Sequence, residues 1–129
     1  MIVKHIDDIR GTDREVNGGN WTSWRLLLKS EGMGFSFHET VIRAGTETRM
    51  WYKNHLESVY CVEGKGEIEN LDDGKKHEIT PGFLYALDQH DRHVVRVEED
   101  LRLLCVFNPP ITGREVHDKE GAYPIVEDD

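Results

Sequence analysis

Glu57-Ser58-Val59-Tyr60-Cys61 carries apolar side chains at alternate positions, and so does His93-Val94-Val95-Arg96-Val97. A strand turns successive side chains to opposite faces, so Glu57, Val59 and Cys61 share one face, as do His93, Val95 and Val97. Leu103, Cys105 and Phe107 form a third row of this kind. A carboxylate and an imidazole therefore head two otherwise apolar faces. Burying a carboxylate is costly unless something compensates it. A metal ion held by Glu57 and His93 would do so. The alternative is an arginine partner for Glu57 and an ordinary core place for His93.

Working outward, short apolar runs recur between turn signals, and no segment has a long helical period. The spacing predicts strands at Ser23 to Lys29, Phe35 to Arg43, Arg49 to Lys53, Glu57 to Val62, Glu67 to Leu71, Lys76 to Ile79, Phe83 to Leu87, His93 to Val97 and Leu101 to Phe107. Asp72-Asp73-Gly74 reads as a hairpin turn and Pro81-Gly82 as another. One short helix fits within Ile6 to Arg14. The pattern is all-β, a sandwich or barrel. Pro109-Pro110 cannot continue a central strand, and the segment beyond it is polar. The expectation is one domain over 1–129, with 108–129 as a tail.

The chain has 129 residues, 25 acids against 16 Lys and Arg, and a formal net charge of −9. That balance excludes nucleic acid and anionic membrane surfaces as natural partners, since both would be repelled. Cys61 and Cys105 sit in apolar runs without a CxxC spacing and read as buried free thiols. No run approaches a spanning helix, and the N-terminal residues carry no apolar signal core, so the expected setting is cytoplasmic.

The spacing from Gly45 through Trp51, Lys53 and Glu57 to Gly64 resembles the first motif of the cupin superfamily, with both motif histidines replaced. Gly82 through Asp88, His90, His93 and Val97 resembles the second, with Gly82 and His93 matching and His90 standing where a glycine is usual. A more specific resemblance is to the ectoine synthase family. It is carried by Asp8-Ile9-Arg10-Gly11-Thr12, Asn20-Trp21-Thr22-Ser23, Gly32-Met33-Gly34-Phe35-Ser36-Phe37-His38-Glu39-Thr40, Tyr52-Lys53-Asn54-His55-Leu56-Glu57, Tyr85-Ala86-Leu87-Asp88, Cys105-Val106-Phe107-Asn108-Pro109-Pro110 and Thr112-Gly113-Arg114-Glu115-Val116-His117-Asp118. The resemblance implies a cupin double-stranded β-helix barrel with one or two short helices, a cytoplasmic homodimer, and a requirement for iron(II) or another divalent metal. It implies a hydro-lyase that closes N4-acetyl-L-2,4-diaminobutyrate to the compatible solute ectoine, an osmotic-stress product.

The same resemblance implies metal ligands Glu57, Tyr85 and His93, of which Tyr85 rests on it alone. It implies proton transfer by Tyr52, Glu115 and His117, with the tail acting as a lid. Trp21, Arg25, Thr40, Tyr52, Cys105, Phe107, Glu115 and His117 would hold substrate, Arg25 through a bidentate grip on its carboxylate. His55 shares the face of Glu57 and is expected beside the ligands, with a place as a fourth ligand as the alternative. Trp21 and Phe107 as plain core, Arg25 in a surface ion pair and a solvated tail are the alternatives. Other classes also fit a small cupin: a non-catalytic solute-binding module, or an iron-dependent oxygenase. The chemistry of ring closure asks for carbonyl polarisation, a proton taken from an amine, a folded substrate and little water.

Overall fold

The computed structural model describes residues 1–113. Eight strands follow in chain order: β1 (Glu15–Asn17), β2 (Trp21–Leu27), β3 (Ser36–Ile42), β4 (Glu47–Trp51), β5 (Leu56–Asn70), β6 (Lys76–Ile79), β7 (Leu84–Leu87) and β8 (Arg92–Asn108). Two one-turn 3-10 helices, Ile6–Asp8 and Lys29–Glu31, are the only helical segments among the described residues. All pairings are antiparallel.

The long strands β5 and β8 organise the barrel. The first half of β5 and the second half of β8 join β7 and β3-β2-β1 in one sheet. Their other halves join β6 and β4 in a second. Each long strand thus passes from one wall to the other. The predicted strand pairs 57–62 with 67–71, and 93–97 with 101–107, are therefore two continuous strands and not four. The joint in β5 is a run of register shifts between Cys61 and Gly66. Gly64 lies there at φ 102°, and a Cβ on it would fall 2.1 Å from the Asp100 carbonyl oxygen. Only a residue without a side chain lets the two bent strands come this close. The motif glycine is thus a crossing point of the two walls.

The three rows read from the sequence all face the core: Glu57, Val59 and Cys61; His93, Val95 and Val97; Leu103, Cys105 and Phe107. Both cysteines are free and buried. The Asp72–Gly74 turn closes the β5–β6 hairpin, with the Gly74 N–H donating to the Asn70 carbonyl (2.8 Å). Strand β1, three residues long, is not among the predicted strands. No helix among the described residues is long and apolar enough to cross a membrane.

Candidate active site

The pairing register sets side chains in rungs across the first sheet. One rung runs Arg25, His38, Cys105, Val59, Tyr85. The next runs Ser36, Phe107, Glu57, Leu87. Alternate residues of a strand share a face, so these rungs lie on the same inner surface. They border a cavity with about 460 Å³ of free space, mouth included, lined by Trp21, Thr40, Tyr52, Glu57, Tyr85, Cys105 and Phe107 among others. Its mostly apolar lining suits a ligand held away from water, although only about 40 Å³ of it is open to water-sized molecules as it stands. His93 comes from the second sheet, paired with Met50 and Asn70. It opens on a neighbouring cleft that shares Tyr85 with the cavity, and its ring lies 5.9 Å from that of Tyr52.

The electrostatics of this interior are unusual. Glu57 is buried, and the loss of water pushes its carboxyl up to about 8, against a small opposing effect from the Cys105 thiol that hydrogen-bonds to it. The Cys105 thiol is raised well above its ordinary value by burial and by Glu57. Its Sγ also lies 3.8 Å from the Thr40 hydroxyl. A raised thiol is a packing and contact group rather than a nucleophile. The Tyr85 phenol is likewise held up, by burial first and then by Glu57. Burial lowers His93 and keeps it neutral. Its Nδ1–H donates to the Asp91 carbonyl (2.9 Å). Its Nε2 is buried without a hydrogen-bond partner among the described residues.

These features fit a metal site. An imidazole fixed through Nδ1 presents the Nε2 lone pair, as a metal-bound histidine does. A carboxylate and a phenol, both penalised for being charged where they stand, become favourable as anions beside a divalent cation. Among the described residues no three His, Cys, Asp or Glu side chains are grouped to hold a metal. Tyr52 and Tyr85 both border this cavity, and it is the family resemblance that names Tyr85 as the third donor.

Beside the cavity a buried polar chain seats the start of the tail. Arg25 is fully buried, which overturns the surface ion-pair alternative. Its Nη1 donates to the Gly113 carbonyl (2.5 Å), and its Nε lies 3.5 Å from Ser23 Oγ. Ser23 Oγ meets His38 Nδ1 at 3.3 Å, and His38 Nε2 meets Ser36 Oγ at 3.0 Å. The Ser36 hydroxyl accepts the Ile111 N–H (3.0 Å). Desolvation, then Arg25 and His55, hold His38 well below its ordinary value, so it is a neutral link in this chain. Arg25 adjoins the cavity lining rather than forming part of it. Glu115 and His117 lie outside the described residues.

A family model described as ectoine synthase matches residues 1–127. The chain belongs to the ectoine synthase family. An L-ectoine synthase from Desulfosudis oleivorans is 64% identical over 129 residues, covering 99% of this chain and 100% of that protein. The crystal structure of an ectoine synthase from P. lautus superposes with a TM-score of 0.88 at 53% identity, covering 98% of this chain and 94% of that one. The cupin domain of a transcriptional regulator from Enterobacter cloacae (TM-score 0.59, 15% identity, 70% of this chain and 98% of that one) shares the fold alone. The barrel of this family member is thus the cupin barrel.

Against the cupin spacing, this member of the ectoine synthase family shows a one-residue offset. Trp51 and Lys53 take the motif's histidine positions, yet the inward residues are their neighbours Met50 and Tyr52. The Trp51 indole faces outward between Lys53 Nζ (5.4 Å) and the Arg92 guanidinium (5.8 Å). The Tyr52 hydroxyl donates to Met50 Sδ (3.3 Å), and its ring meets Phe107 edge-on at 5.3 Å. His55 is buried against Phe107, with ring centroids 5.9 Å apart. Ser23 and Ser36 stand in the family stretches, but the sequence assigns them no role. Two small hydroxyls flanking a histidine on adjoining strands are the signal that marks them.

Proposed function

We propose that this protein closes N4-acetyl-L-2,4-diaminobutyrate to ectoine with loss of water, as a hydro-lyase of compatible-solute synthesis. The observation that carries the reading is similarity to L-ectoine synthases along the full length of the chain. The α-amine attacks the carbon of the substrate's own acetamide, and the carbonyl oxygen leaves as water with two protons from the ammonium. In this reading Glu57, Tyr85 and His93 hold a divalent metal, iron(II). When bound, it supplies Lewis-acid polarisation of the acetamide carbonyl.

The chain's own residues do the rest. Arg25 offers its guanidinium fork to the substrate carboxylate, whose arrival would take the place of the Gly113 carbonyl. Trp21 and Phe107 wall the cavity and keep water from reversing the reaction. Thr40 and Cys105 contact the folded substrate, and burial keeps the thiol protonated. Tyr52, Glu115 and His117 move the protons, with the 108–129 segment closing over the mouth. His55 packs beside Phe107 and supports the ligand face. Holding amine and carbonyl together inside a small cavity is worth about 7–11 kcal/mol in well-ordered intramolecular reactions.

The reading includes a homodimer in the cytoplasm. Exposed Ile2, Val3 and Leu84 supply apolar surface for a partner copy, and the two free thiols suit a reducing compartment. The test is incubation of metal-loaded protein with the acetylated diamine, followed by NMR. Ectoine and an equivalent loss of substrate are expected. Saturable binding without ectoine would make the protein a solute-binding cupin.

A further inference from the structure

His90 is the one non-glycine residue at positive φ among the described residues, with φ 52°. It stands in the turn between β7 and β8, where the cupin pattern has a glycine. Glycine enters this left-handed conformation freely, and a residue with a Cβ resists it. Something must therefore hold His90 there. Its side chain is largely outside the core, but its Nδ1 lies 2.8 Å from the Tyr52 carbonyl oxygen. A carbonyl only accepts, so Nδ1 carries the proton and donates.

This bond ties two loops at one end of the barrel. One leads from Leu87 into β8 and its early residue His93; the other leads from Tyr52 into β5 and its early residue Glu57. Tyr52 has its ring against both His93 and Phe107. Its backbone leaves β4 just before it, so that strand pairing no longer fixes it. We propose that His90 is a positioning residue: its imidazole pins the Tyr52 backbone and so sets the Tyr52 phenol in the cavity. The left-handed turn serves to aim the imidazole at that carbonyl. This rests on the reading of Tyr52 as a proton-transfer group given above.

The test uses His90→Gly, which suits the turn and deletes only the bridge. The Gly variant is expected to match the wild type in thermal unfolding midpoint and metal content per chain. Its kcat should fall about tenfold with KM within twofold, as for a slightly misplaced reacting group. Amides 53–55 should exchange with deuterium about tenfold faster. His90→Asn tolerates the same turn and carries an amide N–H as many bonds from Cα as Nδ1. It should restore both kcat and protection. If the Gly variant is too unstable to assay, His90→Asp, which has no donor to offer, carries the same expectations. Wild-type kcat or wild-type exchange in His90→Gly overturns the proposal, as does an Asn variant as impaired as Gly. If the wild type does not cyclise the substrate at all, the functional reading fails, while the exchange data still report the bridge.

Discussion

Replacing Glu57 by Gln should abolish a pH dependence that the metal-free wild type shows. Burial raises this carboxyl from an ordinary 4.5 to about 8. A group whose folded pKa is raised contributes its stability fully below 4.5, and that contribution is lost as pH climbs to 8. Each pH unit inside that window is worth about 1.4 kcal/mol, so the whole interval amounts to about 5 kcal/mol and the span from pH 6.5 to 8.5 to about 2 kcal/mol. His38 and His93, both lowered by burial, act with the opposite sign and fade only above about pH 7.5, where their unfolded forms have given up their protons. The buried thiols and the Tyr85 phenol act only above about pH 9, because their folded values are raised from already high ones. Both proteins share these contributions, so the difference between wild type and Glu57→Gln from about pH 6.5 to 8.5 isolates Glu57. The assay is urea unfolding in excess chelator, followed by tryptophan fluorescence, at several pH values. Across the interval the metal-free wild type should lose about 2 kcal/mol relative to Glu57→Gln. Glu57→Gln should also bind no metal and turn nothing over. Parallel pH curves for the two proteins would refute the claim that this carboxylate is buried without a compensating cation.

Tyr85→Phe deletes one oxygen and keeps the ring, so the fold should persist. Because outer-shell partners alone are worth about 10–100-fold in metal affinity, loss of a direct ligand should cost at least tenfold by metal titration, and retained affinity would make Tyr85 mere packing. Arg25→Met should raise KM about 10–100-fold, the worth of a charge-assisted bidentate contact, with a smaller effect on kcat; an unchanged KM would place the substrate carboxylate elsewhere. His117→Ala should keep its metal and lose about 10²–10⁴-fold in kcat along with one limb of the pH–rate profile. A chain ending before Thr112 that works normally would remove both His117 and Glu115 from the mechanism.

The inward rows at Glu57, His93 and Leu103 were legible in the sequence because period-two alternation is a direct consequence of strand geometry. What joins the rows was not. Between Cys61 and Gly66 the bulges interrupt the alternation, so one strand through two walls reads as two strands with a turn between them. Strand β1 is too short to show a period. Trp51 misleads for a related reason: cupin spacing counts residues, whereas inward facing depends on register, and a one-residue difference exchanges the faces. Tyr85 has a neighbour of similar hydrophobicity on either side, and only its pairing with Val59 turns it inward. The depth of Arg25 depends on a carbonyl 88 positions away in sequence, a contact no local pattern encodes. The left-handed turn at His90 is marked in the sequence by the glycine that the cupin pattern has there, but its bond to the Tyr52 carbonyl, 38 positions away, is not.

The central claim is that a metal-dependent, redox-neutral dehydration takes place in this barrel. Chelated protein should be titrated with iron(II) under strict exclusion of oxygen, in the presence of N4-acetyl-L-2,4-diaminobutyrate, and the initial rate of ectoine formation measured. The rate should rise in proportion to added iron, level off at one equivalent per chain, and be unaffected when oxygen is withheld. Full-rate ectoine formation by the chelated protein, or an absolute need for oxygen, would contradict the account.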